Sequence, residues 1–364
     1  MPNKYIAKLL VLCPYPLEIA PSQRFRFEHY LPILASAGID TQVSPFLTSA
    51  TMQVLYKKGY WTRKAIGTIA GFSRRVWVLA TLFRYDCVYI HREAAPVGPP
   101  IIEFIISKLG IRIIYDFDDA IFLSKTSEVN RLVSFFKWPS KVSYIARASW
   151  KVSVSNAHLC NWAKQFNTQT IILPTTINLN YHHPVPKIDI HKRKIIIGWT
   201  GSHSTVKYLD IVKPALIYLQ NNYDFEFRVI CDVDPECFEI KNYVFKQWCL
   251  ETEIEDLAAI DIGLMPLPEG AWELGKLGLK AIQYAGVCAV PIVSATGSGH
   301  EVVVDGKTGF VVENTTEAWI GALSKLLSAP ETMMAMGAKA REYIRLHYSV
   351  EANATTFLNL FTEK

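Results

Sequence analysis

The chain has 364 residues, of which 50% are hydrophobic and 12% aromatic, and its formal net charge is +5. This length predicts two domains, since single hydrophobic cores seldom grow beyond about 250–300 residues, and the apolar content argues against disorder. The mild charge, without a long basic tail, argues against nucleic acid as the main partner.

The sequence also bears on the cellular compartment. No apolar run approaches the ~20 residues that span a bilayer, and the apolar residues 9–12 are too few for a secretory signal. The seven cysteines are odd in number and lack paired spacing, which is typical of a reducing compartment and not of a zinc site. We therefore expect a cytoplasmic protein.

The first half of the chain alternates buried strands with helices. Helices are expected between most of the strands, such as one at 99–109 that Gly110 closes. Strands this continuously apolar are typical of a parallel sheet with both faces covered. We expect residues 1–183 to form one doubly wound, Rossmann-like domain, with strands at 7–13, 41–46, 87–91, 111–115, 151–154 and 170–173.

A change of composition separates this domain from the second half. Prolines, asparagines and histidines cluster around residues 174–193, and we place the linker at 184–193. The second domain is predicted to span 194–347, with strands at 194–199, 225–231, 260–265, 289–294 and 310–312. Helices are expected from Thr205 and at 276–285, 316–327, 331–347 and 350–361. The predicted fold class is α/β, with two doubly wound parallel-sheet domains facing a cleft.

Polar residues follow the strands of the first domain, where open α/β sheets bind ligands. Arg24 and Arg26 open a helix whose amino terminus attracts anions, although a solvated basic turn explains them as well. His91 could donate to a sugar hydroxyl and Glu93 could act as a base, unless Arg92 and Glu93 form an ordinary surface pair.

Clustered carboxylates at residues 116–119 end the fourth predicted strand. They are consistent with a metal site, with acid–base chemistry, or with aspartates that cap a helix. We favour acceptor contacts through Asp118 and Asp119, or a structural loop, over a metal site.

Residues 57–84 carry seven lysines and arginines interleaved with aromatic and aliphatic residues, and no acid. Helices of this kind favour anionic membrane surfaces. The alternative is a helix packed on the sheet with its bases in solvent. Without a spanning segment, any membrane contact is expected to be peripheral, at the inner face.

The loop at residues 198–205 follows the first strand of the second domain. Gly201 lets the backbone approach a ligand, and N–H groups of Gly201 and Ser202 at a helix start could hold a phosphate. An ordinary tight turn is the alternative. Neither a Walker motif nor Gly-x-Gly-x-x-Gly is present, which argues against a dehydrogenase. Asp232, after the next strand, could lie beside a nucleotide.

The stretch that begins at Asp261 carries the most specific pattern. It contains Gly-Lys-x-Gly-x-Lys-x-x-Gln-Tyr at 275–284, Pro-x-Val-Ser at 291–294 and Asp-Gly-x-x-Gly-Phe-x-Val at 305–312. In this order the motifs resemble the donor-binding half of retaining family-4 (group 1) glycosyltransferases, which have the GT-B fold. The family has a Glu-x7-Glu pair, and this sequence has Gly275 and Gln283 at the two corresponding positions.

The resemblance implies an enzyme that moves a sugar from a nucleoside diphosphate sugar to a hydroxyl of a glycan or polyprenyl-linked acceptor. No cofactor or metal is implied. Lys276, together with Gly201 and Ser202, would stabilise the departing diphosphate, and Lys207 matches the place of a family lysine. Preorganised positive charge is the physical requirement at such a site.

Further roles follow from the same resemblance. Glu273, or N–H groups near Gly275, would position the sugar, and the Gln283 amide could hydrogen-bond ribose. The first domain would bind the acceptor, and the C-terminal segment 348–364 would cross back to that domain. The first-domain candidates are Glu93 as a catalytic base and, for the acceptor, Arg24, Arg26, His91, Arg92, Asp118 and Asp119.

The absence of both family glutamates leaves a second hypothesis, a non-catalytic nucleotide-sugar binding subunit of a transferase complex. A sugar-nucleotide epimerase with the GT-B fold is a third. If the family chemistry holds, transfer retains the anomeric configuration. We then expect a hexosyltransferase of cell-surface polysaccharide synthesis.

Overall fold

The computed structural model describes residues 6–55, 57, 59–123, 138–183 and 193–362. Its contacts divide the chain into two compact units. Unit 1 comprises Met1–Thr175 and Asn353–Lys364, and unit 2 comprises Thr176–Ala352. Of the predicted linker at 184–193, all but Arg193 lies outside the described residues.

The described strands of unit 1 form a six-stranded parallel sheet in the order β2-β1-β3-β4-β5-β6. Every residue of β3 and β5 is buried, because helices cover both faces of the sheet. The order reverses between β1 and β3, so ligand loops are expected at the carboxyl ends of these two strands. The strands are β1 (Lys8–Cys13), β2 (Asp40–Pro45), β3 (Cys87–His91), β4 (Arg112–Phe117), β5 (Lys151–Val154) and β6 (Thr170–Ile172).

The helices of unit 1 lie between these strands, and the helix predicted at 99–109 is observed as α5. The C-terminal residues of the chain also pack within unit 1. The Phe357 ring stacks on Tyr30 at 4.1 Å, and Lys151 Nζ donates to Asn359 O at 2.7 Å. The described helices are α1 (Pro21–Arg26), α2 (Leu31–Ser36), α3 (Ser49–Leu55), α4 (Trp61–Ala80), α5 (Ile101–Lys108), α6 (Lys141–Ala148) and α7 (Ala157–Ala163).

Unit 2 contains a second six-stranded parallel sheet, in the order β12-β11-β10-β7-β8-β9. The order reverses between β7 and β10, which places the expected ligand crevice at the carboxyl ends of those two strands. The strands are β7 (Ile195–Thr200), β8 (Phe225–Cys231), β9 (Tyr243–Gln247), β10 (Ile262–Met265), β11 (Val290–Ser294) and β12 (Phe310–Val312). The helices are α8 (Lys213–Leu219), α9 (Glu253–Ala258), α10 (Leu279–Gly286), α11 (Gly299–Val302), α12 (Thr316–Leu327) and α13 (Pro330–His347). A further helix, α14 (Val350–Leu358), begins in unit 2 and belongs to unit 1 from Asn353 onward.

The predicted fold class, α/β with two doubly wound parallel sheets, is confirmed. Three elements of unit 2, β9, α9 and α11, were not predicted, because β9 is an edge strand without a buried run, α9 is short and acidic, and α11 is a single turn. In the part of the chain that the structure describes, no helix is both long and apolar enough to span a bilayer.

Candidate functional site

The loop after β7 is built on the indole of Trp199. Trp199 is fully buried, and a Cβ on Gly201 would lie 2.2 Å from a carbon of its ring, so a side chain at position 201 would displace the indole. Gly201 N–H donates to Ile230 O at 3.0 Å, and Ser202 N–H donates to Thr205 Oγ1 at 3.3 Å. The two N–H groups that were predicted to hold a phosphate therefore donate within the protein.

A helix starts at Thr205 as predicted, but it is not an α-helix. Val206–Ile211 is a 3-10 helix, and α8 begins only at Lys213. Pro214 lies in the first turn of α8, where its missing N–H costs nothing, but it would break a helix that continued through it from Thr205. The predicted diphosphate contact Lys207 is exposed on the 3-10 helix.

His203 joins the loops that follow β7 and β8. Its N–H donates to Asp232 Oδ1 at 2.6 Å, and its Nδ1 lies 2.6 Å from Asp232 Oδ2. Burial alone would raise the pKa of Asp232, but hydrogen bonds from His203 and Cys231 lower it. The structure therefore places Asp232 at the predicted edge of the sheet, with its carboxylate bound to a histidine that the sequence analysis did not single out.

The loop after β10 turns Glu273 into the body of unit 2. Its Oε1 accepts a hydrogen bond from the Tyr208 hydroxyl at 2.8 Å, and the residue is only 5% exposed. Gly275, in the same 3-10 turn, is buried. The backbone of Lys276 is fixed because Ser298 N–H donates to its carbonyl at 3.2 Å, while its side chain is half-buried. The carboxylate predicted to position the sugar is thus bound to Tyr208.

Helix α10 begins three residues later than predicted, because Gly278 has φ of +102° and interrupts the helical backbone. This start places Lys280 in the first turn of α10, with its Nζ 4.1 Å from the centroid of the Trp199 ring. Gln283 lies farther along the helix and is 7% exposed. Lys280 belongs to the glycine–lysine motif at 275–284, but its approach to Trp199 joins residues far apart in sequence and could not be predicted.

Tyr284 ties β7 to β10 at the point where the strand order reverses. Its hydroxyl accepts a hydrogen bond from Thr200 N–H at 2.8 Å and donates to Leu264 O at 3.3 Å. The ring fills the space beside Gly263, where a Cβ would lie 2.2 Å from a ring carbon. The fully buried Tyr284 hydroxyl therefore links the end of β7 to β10.

In unit 1, Asp116 is the centre of a buried polar network. Arg26 donates to both of its carboxylate oxygens, and His91 Nδ1 lies 2.9 Å from Oδ2. Arg26 also donates to Ser153 Oγ at 3.0 Å and to the Leu173 carbonyl. Burial alone would raise the pKa of Asp116, but Arg26 and the hydrogen bond from His91 hold it well below its usual range.

This network corrects one predicted acceptor contact. Arg26 is fully buried, and the donors described above all point at protein acceptors. We therefore assign Arg26 to the support of the sheet and not to a ligand. His91 is also fully buried, and its Nε2 lies 3.5 Å from Ser22 Oγ, on the side of the ring away from Asp116.

Arg92 brings Asp118 and Asp119 together. Its Nη2 lies 2.9 Å from Asp118 Oδ1 and 2.5 Å from Asp119 Oδ2, and its φ of +60° is unusual for a residue with a side chain. Tyr115 donates to the Arg92 carbonyl at 2.8 Å. These carboxylates neutralise an arginine, and among the described residues no group of three His, Cys, Asp or Glu side chains is placed to hold a metal.

Glu93 pairs with Lys141, and the surface pair between Glu93 and Arg92 that the sequence left open is wrong. Lys141 Nζ lies 2.6 Å from Glu93 Oε2 and donates to Ala95 O at 2.8 Å. Arg24 is only 4% exposed, with its guanidinium 5.1 Å from the centroid of the Phe25 ring. Arg24 therefore does not lie in a solvated basic turn.

Comparisons with known proteins agree with this architecture. Residues 194–329 match the sequence model of the family described as glycosyl transferases group 1. No curated protein sequence matches the chain.

Several solved structures share the fold over nearly the whole chain. Sucrose-phosphate synthase from Thermosynechococcus elongatus is 14% identical, with a TM-score of 0.70, and the match covers 97% of this chain and 98% of that one. A glycosyltransferase from Rickettsia africae is also 14% identical, with a TM-score of 0.70 and coverage of 99% and 98%. HepE from Anabaena, solved with UDP, is 13% identical, with a TM-score of 0.64 and coverage of 97% and 98%. The chain therefore has the GT-B fold of these glycosyltransferase structures, and its second unit carries the group 1 sequence pattern.

Proposed function

We propose that the protein is a glycosyltransferase. It transfers a sugar from a nucleoside diphosphate sugar to a hydroxyl of a glycan or polyprenyl-linked acceptor, with retention of configuration, in polysaccharide synthesis. The observation that carries the proposal is the edge of unit 2 where the strand order reverses. There the Gly201 loop and the start of α10 meet on Trp199, and Lys276 lies in the adjoining loop.

Positive charge at this edge is what the proposed reaction requires. The C–O bond to the diphosphate breaks as the acceptor oxygen attacks the sugar, and negative charge develops on the departing phosphate. Because the N–H groups of Gly201, Ser202 and His203 donate within the protein, they are not the source of stabilisation in this conformation. We assign that role to the lysine side chains near Trp199.

The acceptor is assigned to unit 1, at the loops after β1, β3 and β4. Asp118 and Asp119 form one side of this surface, and His91 and Glu93 are held from behind by Asp116 and Lys141. Buried partners of this kind fix the rotamers of groups that contact a ligand. Glu93 remains the proposed base.

A non-catalytic nucleotide-sugar binding subunit is the second candidate. It is favoured by Glu273, since its carboxylate is buried against Tyr208 and the neighbouring family positions hold Gly275 and Gln283. A transferase needs a group at the reacting sugar in addition to a diphosphate site.

Binding and turnover separate these candidates. Thermal-shift titrations with UDP, GDP, ADP and dTDP are expected to identify one preferred base, and UDP comes first because HepE was solved with it. The matching nucleotide sugars are then tested for transfer to a panel of glycan and polyprenyl-linked acceptors. Binding without turnover on every acceptor supports the subunit. No stabilisation by any of the four nucleotides contradicts both candidates.

Transfer is expected to survive treatment with EDTA. The carboxylates at the sheet edge of unit 1 are bound to Arg26 and Arg92, and lysines supply the charge in unit 2. Initial rates are measured with and without the chelator, followed by addition of Mg²⁺ or Mn²⁺. Loss of activity that either metal restores would reverse this prediction.

Membrane contact is proposed for helix α4, on grounds that differ from those given by the sequence. Arg75 is fully buried and donates to the carbonyls of Ala94 and Cys13, and Arg74 donates to the carbonyl of Phe46. Those two bases cannot face a bilayer. The face of α4 opposite its buried residues is instead apolar and exposed, with Trp61, Ile66, Ile69, Val76 and Trp77 between 65% and 71% exposed.

This surface is expected to bind vesicles that contain anionic lipid, weakly and in a salt-dependent manner. The apolar side chains insert, and each remaining base contributes about 1 kcal/mol near an anionic surface. Vesicle sedimentation is measured for the wild type, for Ile69→Ser/Trp77→Ser and for the control Tyr218→Ser, an exposed aromatic of unit 2. If the double variant binds vesicles as well as the wild type and the control do, α4 is an ordinary helix with its bases in solvent.

A further inference from the structure

We infer that Lys280 is a diphosphate-binding residue that takes up a proton when the nucleotide binds. This inference rests on the proposed function and gives a role to Lys280, a member of the motif at 275–284 to which the sequence analysis assigned none. It concerns the first turn of α10 and the indole on which the Gly201 loop lies.

The position of the Lys280 ammonium is set by Trp199. The Nζ atom lies 4.1 Å from the ring centroid of Trp199, and Gly201 packs against the same indole. A cation over an aromatic face is attracted by the ring quadrupole, but the ring cannot accept its N–H groups as an oxygen does. The ammonium is therefore held beside the Gly201 loop with hydrogen-bonding capacity that a phosphate could use.

No carboxylate of the described residues forms an ion pair with Lys280. Asp232 is bound to His203, and Glu273 accepts from Tyr208. Charged groups on the helices packed against α10 interact with other residues. Glu253 of α9 accepts a hydrogen bond from Tyr181, and Glu301 of α11 helps to raise the pKa of Tyr348. Arg341 of α13 donates to the Gly286 carbonyl.

The surroundings of Lys280 disfavour its protonated form. Burial lowers the pKa of Lys280, and repulsion by Lys276 lowers it further, to about 7. The Cys231 thiol would favour the ammonium only as a thiolate, and burial raises the pKa of that thiol to about 11. The Lys280 ammonium, repelled by Lys276 and without a carboxylate partner among the described residues, costs stability unless an anion binds it, and such groups are characteristic of functional sites.

The protonation of Lys280 is then coupled to the ligand. Above neutral pH the free protein holds most of Lys280 as the amine, and a bound diphosphate favours the ammonium. Binding therefore takes up a proton at pH 8, and affinity falls as the pH rises beyond about 7. The loss approaches tenfold per pH unit until the pKa in the complex is reached.

Calorimetry with inorganic pyrophosphate tests this inference without knowledge of the base. Titrations at pH 8 in two buffers of different ionisation enthalpy give the number of protons taken up. The proteins are the wild type, Lys280→Gln, Lys280→Arg and the control Lys325→Gln, which removes a lysine that lies over the Phe310 ring on another helix. Pyrophosphate has ionisations of its own, so the difference between wild type and variant is the quantity compared.

The wild type and Lys325→Gln are expected to take up most of one proton more than either Lys280 variant. Lys280→Gln should bind pyrophosphate about tenfold more weakly or worse. Lys280→Arg should keep most of the affinity without the proton, since arginine is always charged. Below pH 7 the free protein holds Lys280 as an unfavourable ammonium, so the melting temperature of Lys280→Gln should there equal or exceed that of the wild type. A purely structural lysine would show the opposite change.

Failure of the inference is distinguishable from failure of the proposed function. Equal proton uptake by the wild type and Lys280→Gln, or absence of pyrophosphate binding to the wild type, overturns the assignment of Lys280. Proton-coupled binding of pyrophosphate without sugar transfer upholds it and contradicts only the transferase.

Discussion

Replacing Asp116 with alanine is expected to lower the free energy of unfolding of unit 1 by about 3–5 kcal/mol, the usual cost of removing one partner from a buried ion pair. Both side chains of the pair are fully buried. The variant would leave the Arg26 guanidinium without its counter-charge and His91 Nδ1 without its acceptor. Urea unfolding followed by circular dichroism at pH 7 measures the loss.

The pH dependence gives a second readout of the same pair. The pKa of Asp116 in the folded protein is below the ~3.9 of an unfolded chain. Its carboxylate therefore stabilises the fold above that pH, and the stabilisation is lost as the pH falls below about 4 toward the folded pKa. In the alanine variant this part of the acid dependence should disappear.

Two comparisons isolate the buried pair. Asp118→Ala removes a carboxylate that is 13% exposed and leaves Arg92 paired with Asp119, so its effect should be smaller. The double variant Arg26→Ala/Asp116→Ala should cost less than the two single variants added together, because no charge remains buried alone. Additive losses, or equal losses for Asp116→Ala and Asp118→Ala, would contradict the network.

The central strands could be predicted from the sequence because they are largely buried, and β3 and β5 are buried along their whole length. The observed bounds of β3, β8 and β12 are those predicted, and each strand consists mainly of apolar residues. Edge strand β9 was missed because its residues are half-buried or exposed and show no alternation. An edge strand such as β9 forms because it pairs with β8, and this pairing leaves no alternating pattern in its own sequence.

The site was harder to predict, because its contacts join residues distant in the chain. The motif at 275–284 led to the correct loop, but nothing local shows that Glu273 turns toward Tyr208 or that Lys280 reaches Trp199. Nor could the sequence show that Gly201 N–H is bound to Ile230 O. Gly201 N–H continues the pairing of β7 with β8 beyond Thr200, and the 3-10 helix begins only at Val206, so this N–H group does not lie at a helix start.

Replacing Lys276 with alanine is expected to weaken binding of the preferred nucleoside diphosphate at least tenfold and to leave binding of the corresponding nucleoside unchanged. The ammonium would donate to a phosphate, and a charge-assisted hydrogen bond contributes about 1.5–3 kcal/mol. If the same group stabilises the departing diphosphate, kcat should fall by about 10²–10³-fold, as when one donor to a developing anion is lost. Thermal-shift or calorimetric affinities for both ligands, together with initial rates, measure these effects.

Lys276→Ala also tests whether the charge of Lys276 affects the protonation of Lys280. Repulsion by Lys276 is one of the two causes that lower the pKa of Lys280, so its removal should raise that pKa. Lys276→Ala should then take up less of a proton than the wild type when pyrophosphate binds at pH 8, although its affinity is lower. Lys325→Ala, in which an exposed lysine is removed, serves as the control for both measurements. Equal losses for nucleoside and nucleoside diphosphate would place Lys276 away from the phosphates. Unchanged proton uptake would mean that the two ammonium groups do not interact.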